Sequence, residues 1–140
     1  MALCGVIAWG ISAALPAGRF ALPHATTVGS AIVLAGIALN LAPKWAFRRA
    51  GTTVNPLRPQ DSVRLVQTGL HRWSRNPMYL GHAAILLGVA TALENVVAFA
   101  AVPAYMLYVG RFQILSEERA LRARFGRTYA DYCRRVHRWL

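Results

Sequence analysis

Two short polar blocks bracket an apolar hairpin. Arg75-Asn76-Pro77-Met78-Tyr79-Leu80-Gly81 precedes one apolar span, and Glu117-Glu118 follows the next, with Phe125-Gly126, Tyr129 and Tyr132 behind them. Asn76 suits an N-cap and Pro77 the first helical position. A helix start of this kind presents amides outside the helical ladder and the positive end of the helix dipole, which suits a carboxylate. A glutamate such as Glu117 suits hydroxyls or an ammonium instead. Chemistry of this type is a matter of position and charge. The sequence shows no nucleophile-base triad. Cys4 and Cys133 are isolated thiols, and His24, His71, His82 and His137 lack ligand spacing, so neither a disulfide framework nor a metal site is expected. Plainer readings stand beside these. Pro77 starts helices anywhere, Tyr79 suits an interfacial belt, and Glu117 and Glu118 can pair with Arg119, Arg122 or Arg124 on an exposed helix. Glu118, about 100° around the helix from Glu117, is read as structural.

The elements that must hold these blocks are apolar. The chain has 140 residues, 56% hydrophobic and 15% charged, yet carries a formal charge of +11. Charge and apolar bulk are segregated, with spans at about residues 2–17, 25–43, 77–93 and 96–112. A hydrocarbon core of about 30 Å takes roughly 20 helical residues, so the second span qualifies comfortably and the others are marginal alone. Gly29 and Gly36, among several alanines, give the second helix small faces for close packing. Pro43 is expected to kink that helix near Lys44 and Trp45. The third helix is expected from Asn76 to about Leu93, a tight turn at Glu94-Asn95, and a fourth helix through Arg111 to a stop at Gly126. A last short helix places Tyr129, Tyr132, Cys133 and Val136 on one side.

Charge supplies the topology. Of the 16 basic residues, 15 lie in the 44–75 connection or from Arg111 onward, and none lies at Glu94-Asn95. The positive-inside rule puts the connection, the tail and both termini in the cytoplasm after four crossings. No basic n-region or persuasive cleavage site marks the first span as a signal peptide, so it is read as a retained anchor. The high pI of about 11.3 does not imply nucleic acid, because four spans leave no compact basic domain and no recognition motif is visible. The 51–74 stretch, with Asn55-Pro56, Arg58-Pro59 and Gly69, is a long irregular connection, a kind that is usually functional or disordered.

The blocks, in this order and at these separations, resemble the integral-membrane methyltransferases that include isoprenylcysteine carboxyl methyltransferase and the phospholipid methyltransferases. The resemblance runs from about Gly51 to Leu140 and includes Leu65-Val66-Gln67-Thr68-Gly69 and Val136-His137-Arg138-Trp139. It implies S-adenosylmethionine as cofactor, a cleft lined by Leu65, Val66, His71, Asn76, Pro77, Met78, Tyr79 and Glu117, and no metal. The family's usual histidine before the proline is Asn76 here, which cannot titrate near neutral pH. Many members have tyrosine at His71. The prenylcysteine enzymes have a substrate-binding arginine at the position of Gln113, with Arg111 nearby in this chain, so Gln113 and Arg111 are the candidates for acceptor contact.

The fold expected is an all-α membrane protein, one integral-membrane domain over residues 1–140 with four transmembrane helices, a cytoplasmic loop and short C-terminal cytoplasmic helices. The function expected is transfer of a methyl group to a lipophilic acceptor at the cytoplasmic face of a bacterial membrane. The acceptor is a prenylcysteine-like carboxylate, a phospholipid amine, or a small hydrophobic thiol or acid, and the sequence does not choose among them. No catalytic residue or oligomeric state is assigned. The rival from another class is a small dimeric four-helix transporter, which needs an ionisable residue at mid-membrane. Asp61, Glu117, Glu118 and Asp131 lie in cytoplasmic segments and Glu94 at the outer turn; His82 alone qualifies, and is read as a packed polar residue. A silent scaffold of the same fold is the third option.

Overall fold

The computed structural model describes Gly10, residues 18–49, Gly51 and residues 65–140. The first expected span and most of the 51–64 stretch lie outside the described residues. Among those described, the chain is helical: α1 (Ala25–Arg49), a 3-10 turn (Gly69–Arg72), α2 (Pro77–Ala92), short α3 (Val96–Phe99), α4 (Ala101–Val109), a π-helical turn (Gly110–Ile114) and α5 (Leu115–Arg135). Two runs are long and apolar enough to cross a membrane, Ala25–Ala46 and Val96–Arg135, and Pro77–Ala92 is a shorter apolar helix. The chain divides into two compact units, one through Ala38 with Gly81–Tyr108, the other Leu39–Leu80 with Val109–Leu140.

In the first unit, α1 and α2 meet through glycines. A Cβ on Gly29 would stand 2.6 Å from the Gly88 carbonyl oxygen, and one on Gly88 would stand 2.6 Å from the Gly29 carbonyl oxygen. One turn-pair along, a Cβ on Gly36 would meet the Gly81 carbonyl oxygen at 2.8 Å. The small faces expected of this helix therefore serve backbone-to-backbone approach, as small residues do between membrane helices. The expected turn follows α2. Glu94 adopts a left-handed φ of 49°, and the wholly buried Asn95 caps α3 by accepting the Val97 N–H at 2.9 Å. Glu94 also fixes the preceding segment, since its carbonyl accepts from the Phe20 N–H at 2.9 Å and its carboxylate from the Leu22 N–H at 2.8 Å. His82 Nδ1 lies 2.9 Å from the Tyr105 hydroxyl, the packed polar residue that was expected.

In the second unit, α1 runs on past a buried Pro43 to Arg49. Asn40, one turn earlier, donates to the Met78 carbonyl at 3.2 Å and accepts from Lys44 Nζ at 2.8 Å. The expected fourth helix is not one regular helix: α3, α4, the π turn and α5 share its length. Gly126 breaks α5 with φ 50° and ψ −119°, a conformation that disfavours any residue with a Cβ. This is the stop the sequence announced. Beyond it Tyr129, Tyr132 and Val136 are buried together, with Leu65, Leu121, Phe125 and Cys133 packed against them.

Candidate functional site

All ten residues proposed from the sequence for cofactor or acceptor lie in the second unit. Its two polar blocks, far apart in the chain, meet there. The Tyr79 hydroxyl donates to Glu117 Oε1, a contact between the first turn of α2 and the first turn of α5. Gln113, in the π turn, donates its side-chain amide to the same Glu117 oxygen at 3.0 Å. The π turn places this residue, and such turns occur frequently at functional sites. Burial raises the Glu117 pKa above the usual carboxylate value, the donors Tyr79 and Gln113 oppose that rise, and the neighbouring Glu118 charge adds to it.

Glu118 belongs to a different network. Arg138 grips it with two hydrogen bonds, Nε to Oε1 at 3.0 Å and a second guanidinium nitrogen to Oε2 at 2.7 Å. Arg75 adds an ion pair at 3.3 Å. The plainer alternative, surface pairing with Arg119, Arg122 or Arg124, is not what Glu118 makes among the described residues. Both Arg75 and Glu118 side chains are largely buried, at 14% and 13% exposure, so the partners come from distant segments that share this interior, not from the next helical turn. The structural reading of Glu118 stands, with partners the sequence did not indicate.

The same distant segments meet at the start of α2. Asn76, expected as an N-cap, directs its side-chain amide to the Arg138 carbonyl at 3.0 Å, while its backbone N–H donates to Ser74 Oγ at 3.1 Å. Its carbonyl opens the helix by accepting from the Leu80 N–H at 3.1 Å. The Arg75 N–H donates to the His137 carbonyl at 3.0 Å. Pro77 is buried as the first helical residue, and the Met78 carbonyl receives Asn40.

The remaining candidates are less central. His71 is buried in the 3-10 turn, and its carbonyl accepts from the Tyr132 hydroxyl at 2.8 Å. Burial lowers its pKa to about 4, so the ring is neutral at physiological pH. Val66 is buried and Leu65 packs on the Tyr129, Tyr132 and Val136 cluster. Arg111 is exposed on the π turn. The structure thus joins Tyr79, Gln113 and Glu117 directly, and Asn76 to the tail. The part played by Gln113 in holding Glu117 was missed, although a four-residue helical spacing carried the signal. Ser74 and Arg138 were missed as supports; Arg138 lies in the closing block Val136-His137-Arg138-Trp139, but nothing local ties it to Glu118 or Asn76.

A sequence profile of the phospholipid methyltransferase family matches residues 24–128. The chain belongs to this family. The match contains both blocks that meet at Tyr79 and Glu117. An uncharacterized protein of Haemophilus influenzae is 40% identical over 63 residues, covering 45% of this chain and 100% of that protein. Probable protein-S-isoprenylcysteine O-methyltransferases of Oryza sativa subsp. indica and Oryza sativa subsp. japonica are each 30% identical over 113 residues, or 79% of this chain. The chain spans 58% of the length of these two rice relatives. No solved structure matches the chain.

Proposed function

We propose that this chain is an integral-membrane methyltransferase that uses S-adenosylmethionine and acts on a lipophilic acceptor at the cytoplasmic membrane face. The observation that carries the reading is the contact between Tyr79 and Glu117, which brings the two family blocks into one site. The donor set fits a zwitterionic cofactor. Glu117 is a half-buried carboxylate suited to ribose hydroxyls or an ammonium, and Arg75 Nε, two residues before Pro77, is buried without a hydrogen-bond partner among the described residues. When bound, S-adenosylmethionine supplies a methyl group already activated on a sulfonium, so no metal or covalent nucleophile is needed. The chain's own work is then binding and orientation. Tyr79 and Gln113 hold the Glu117 carboxylate in one position, the start of α2 at Asn76, Pro77 and Met78 offers its positive dipole end, and neutral His71 with Val66 and Leu65 supplies apolar surface.

The acceptor site is proposed on the side of Gln113 and Arg111. The acceptor is a prenylcysteine-like carboxylate, with a phospholipid amine or a small hydrophobic thiol as the alternative. Residues 1–140 form one domain with four spans, and the 44–75 connection, the tail and both ends of the chain face the cytoplasm of a bacterium. Support for the last point is the distribution of basic residues.

Calorimetry of the purified chain in detergent tests the core of the reading. Saturable binding of S-adenosylmethionine with one site per chain is expected, and absence of binding by the folded protein would leave the silent scaffold and the transporter. Topology is tested separately with cysteines at Thr68 and Thr128, both exposed, in a background lacking Cys4 and Cys133. Neither should react with an impermeant label applied to intact cells.

A further inference from the structure

We propose that the segment Val136–Arg138 is a latch that positions the two halves of the site, with Arg138 as its principal positioning residue. The inference rests on the reading of Tyr79 and Glu117 as cofactor ligands. Three attachments carry it. The Arg138 guanidinium grips the Glu118 carboxylate at 3.0 and 2.7 Å. The Arg138 carbonyl accepts the Asn76 side-chain amide at 3.0 Å, and the Ser74 hydroxyl reaches the same oxygen at 3.5 Å. The His137 carbonyl accepts the Arg75 N–H at 3.0 Å.

Arg138 therefore holds the residue next to Glu117 through its guanidinium and the residue before Pro77 through its carbonyl, while His137 holds Arg75. Arg75 closes the loop by pairing directly with Glu118 at 3.3 Å. The buried Tyr129 and Tyr132 anchor the latch from behind, because Val136 packs with them and the Tyr132 hydroxyl donates to His71. Two contacts link the halves directly, the hydrogen bond from Tyr79 to Glu117 and the ion pair of Arg75 with Glu118. A ligand that takes over the Glu117 carboxylate must compete with the first. The latch and the ion pair of Arg75 with Glu118 remain when it does, so together they fix the separation of the α2 and α5 starts in the liganded protein.

The charge-assisted, bidentate geometry of Arg138 on Glu118 makes the guanidinium hard to replace. Lysine keeps the charge but provides a single point of contact. The expected consequences are graded. Arg138→Gln should weaken S-adenosylmethionine affinity about tenfold or more, and Arg138→Lys should recover part of the loss. Amide hydrogen exchange on the full chain in detergent is the second readout. In Arg138→Gln, exchange at Arg75 should accelerate about tenfold or more, while the α2 interior around Leu86 and Ala90 keeps its parental rate. A merely structural role would raise exchange throughout α2 and would not be rescued by lysine.

Unchanged exchange at Arg75 in Arg138→Gln overturns the latch, as does unchanged cofactor affinity in a folded variant. If Arg138→Gln does not fold, Glu118→Gln, which keeps a neutral acceptor for the guanidinium, is held to the same two outcomes. If the parent itself binds no S-adenosylmethionine, the functional reading fails, and the exchange pattern alone decides whether Arg138 holds the start of α2.

Discussion

Glu117 and Glu118 are consecutive, yet their carboxylates serve separate networks: Glu117 receives the neutral donors Tyr79 and Gln113, and Glu118 receives the cations Arg75 and Arg138. The division follows from helical geometry, since neighbours on a helix diverge by about 100°. It has an electrostatic consequence. A carboxylate already neutralised by arginines has little charge left to offer a ligand, whereas one held by a phenol and an amide has no cation paired with it among the described residues and, when ionised, has its charge to offer in a partly desolvated place. That makes Glu117 the group suited to an ammonium or a ribose diol, and Glu118 the group suited to holding the frame.

Glu117→Gln keeps the shape of the side chain and removes the charge. A hydrogen bond to a charged group contributes roughly 1.5 to 3 kcal/mol, so S-adenosylmethionine affinity should fall about 10- to 150-fold. Gln113→Ala removes one of the two donors that hold the carboxylate and leaves the charge in place, so a smaller loss, about two- to tenfold, is expected. Titration calorimetry of both folded variants at one salt concentration makes the comparison. Parental affinity in Glu117→Gln would remove this residue from the site.

The raised Glu117 pKa predicts a pH dependence. Ligand contact requires the ionised form, so affinity should be constant well above the raised value and decline as pH falls through it. The Tyr79 hydroxyl stabilises the ionised form, and Tyr79→Phe should therefore move the midpoint of that decline to higher pH. For folding the sign is reversed. The folded state holds this proton more tightly than the unfolded chain, so the contribution of Glu117 to stability is present below the ordinary carboxylate value and is lost as pH rises through the raised one. Binding isotherms across pH for parent and Tyr79→Phe supply the check; a midpoint that stays put or moves down would contradict the hydrogen bond as a control of ionisation.

His71 carries the opposite sign. Its pKa falls from 6.5 to about 4 on burial, so the unfolded chain takes up a proton that the folded chain refuses. Stability contributed by the neutral ring is complete above the unfolded value and is lost as pH falls from about 6.5 toward about 4. The whole loss is about 3 kcal/mol. His71→Phe keeps an aromatic ring without the titration. Thermal midpoints of parent and variant should diverge as the pH is lowered through this range, with the variant declining less; parallel curves would show that His71 does not titrate there.

The sequence revealed those features that depend on near neighbours. Asn76-Pro77 marked a helix start, Gly126 a stop with positive φ, and Gly29 and Gly36 a close helix contact, because each is a local stereochemical rule. The pairing of Tyr79 with Glu117 was legible as family blocks, and only the fold supplied the hydrogen bond. What stayed hidden depends on distance along the chain. Arg138 reaches Glu118 across 20 residues and Asn76 across 62, and no periodicity selects it from the other arginines of the tail. The π turn at Gly110–Ile114 was invisible for a different reason, since its residues are ordinary helix formers apart from one glycine.

The contact between α1 and α2 gives the last prediction. Cβ atoms added at Gly88 would stand 2.6 Å from the Gly29 carbonyl oxygen and 2.8 Å from the Val33 backbone nitrogen. Both obstacles are backbone, so relief requires the helices to separate. Alanine normally favours a helix over glycine by about 0.5 to 1 kcal/mol, whereas overpacking of this kind costs about 1 to 3 kcal/mol. The steric term should win, and Gly88→Ala should lower the thermal midpoint in detergent. Gly110 is the control, because a Cβ there meets nothing within 4 Å, and Gly110→Ala should leave the midpoint unchanged or raise it. Equal midpoints for parent and Gly88→Ala would mean that the two backbones do not approach as closely as the glycines allow.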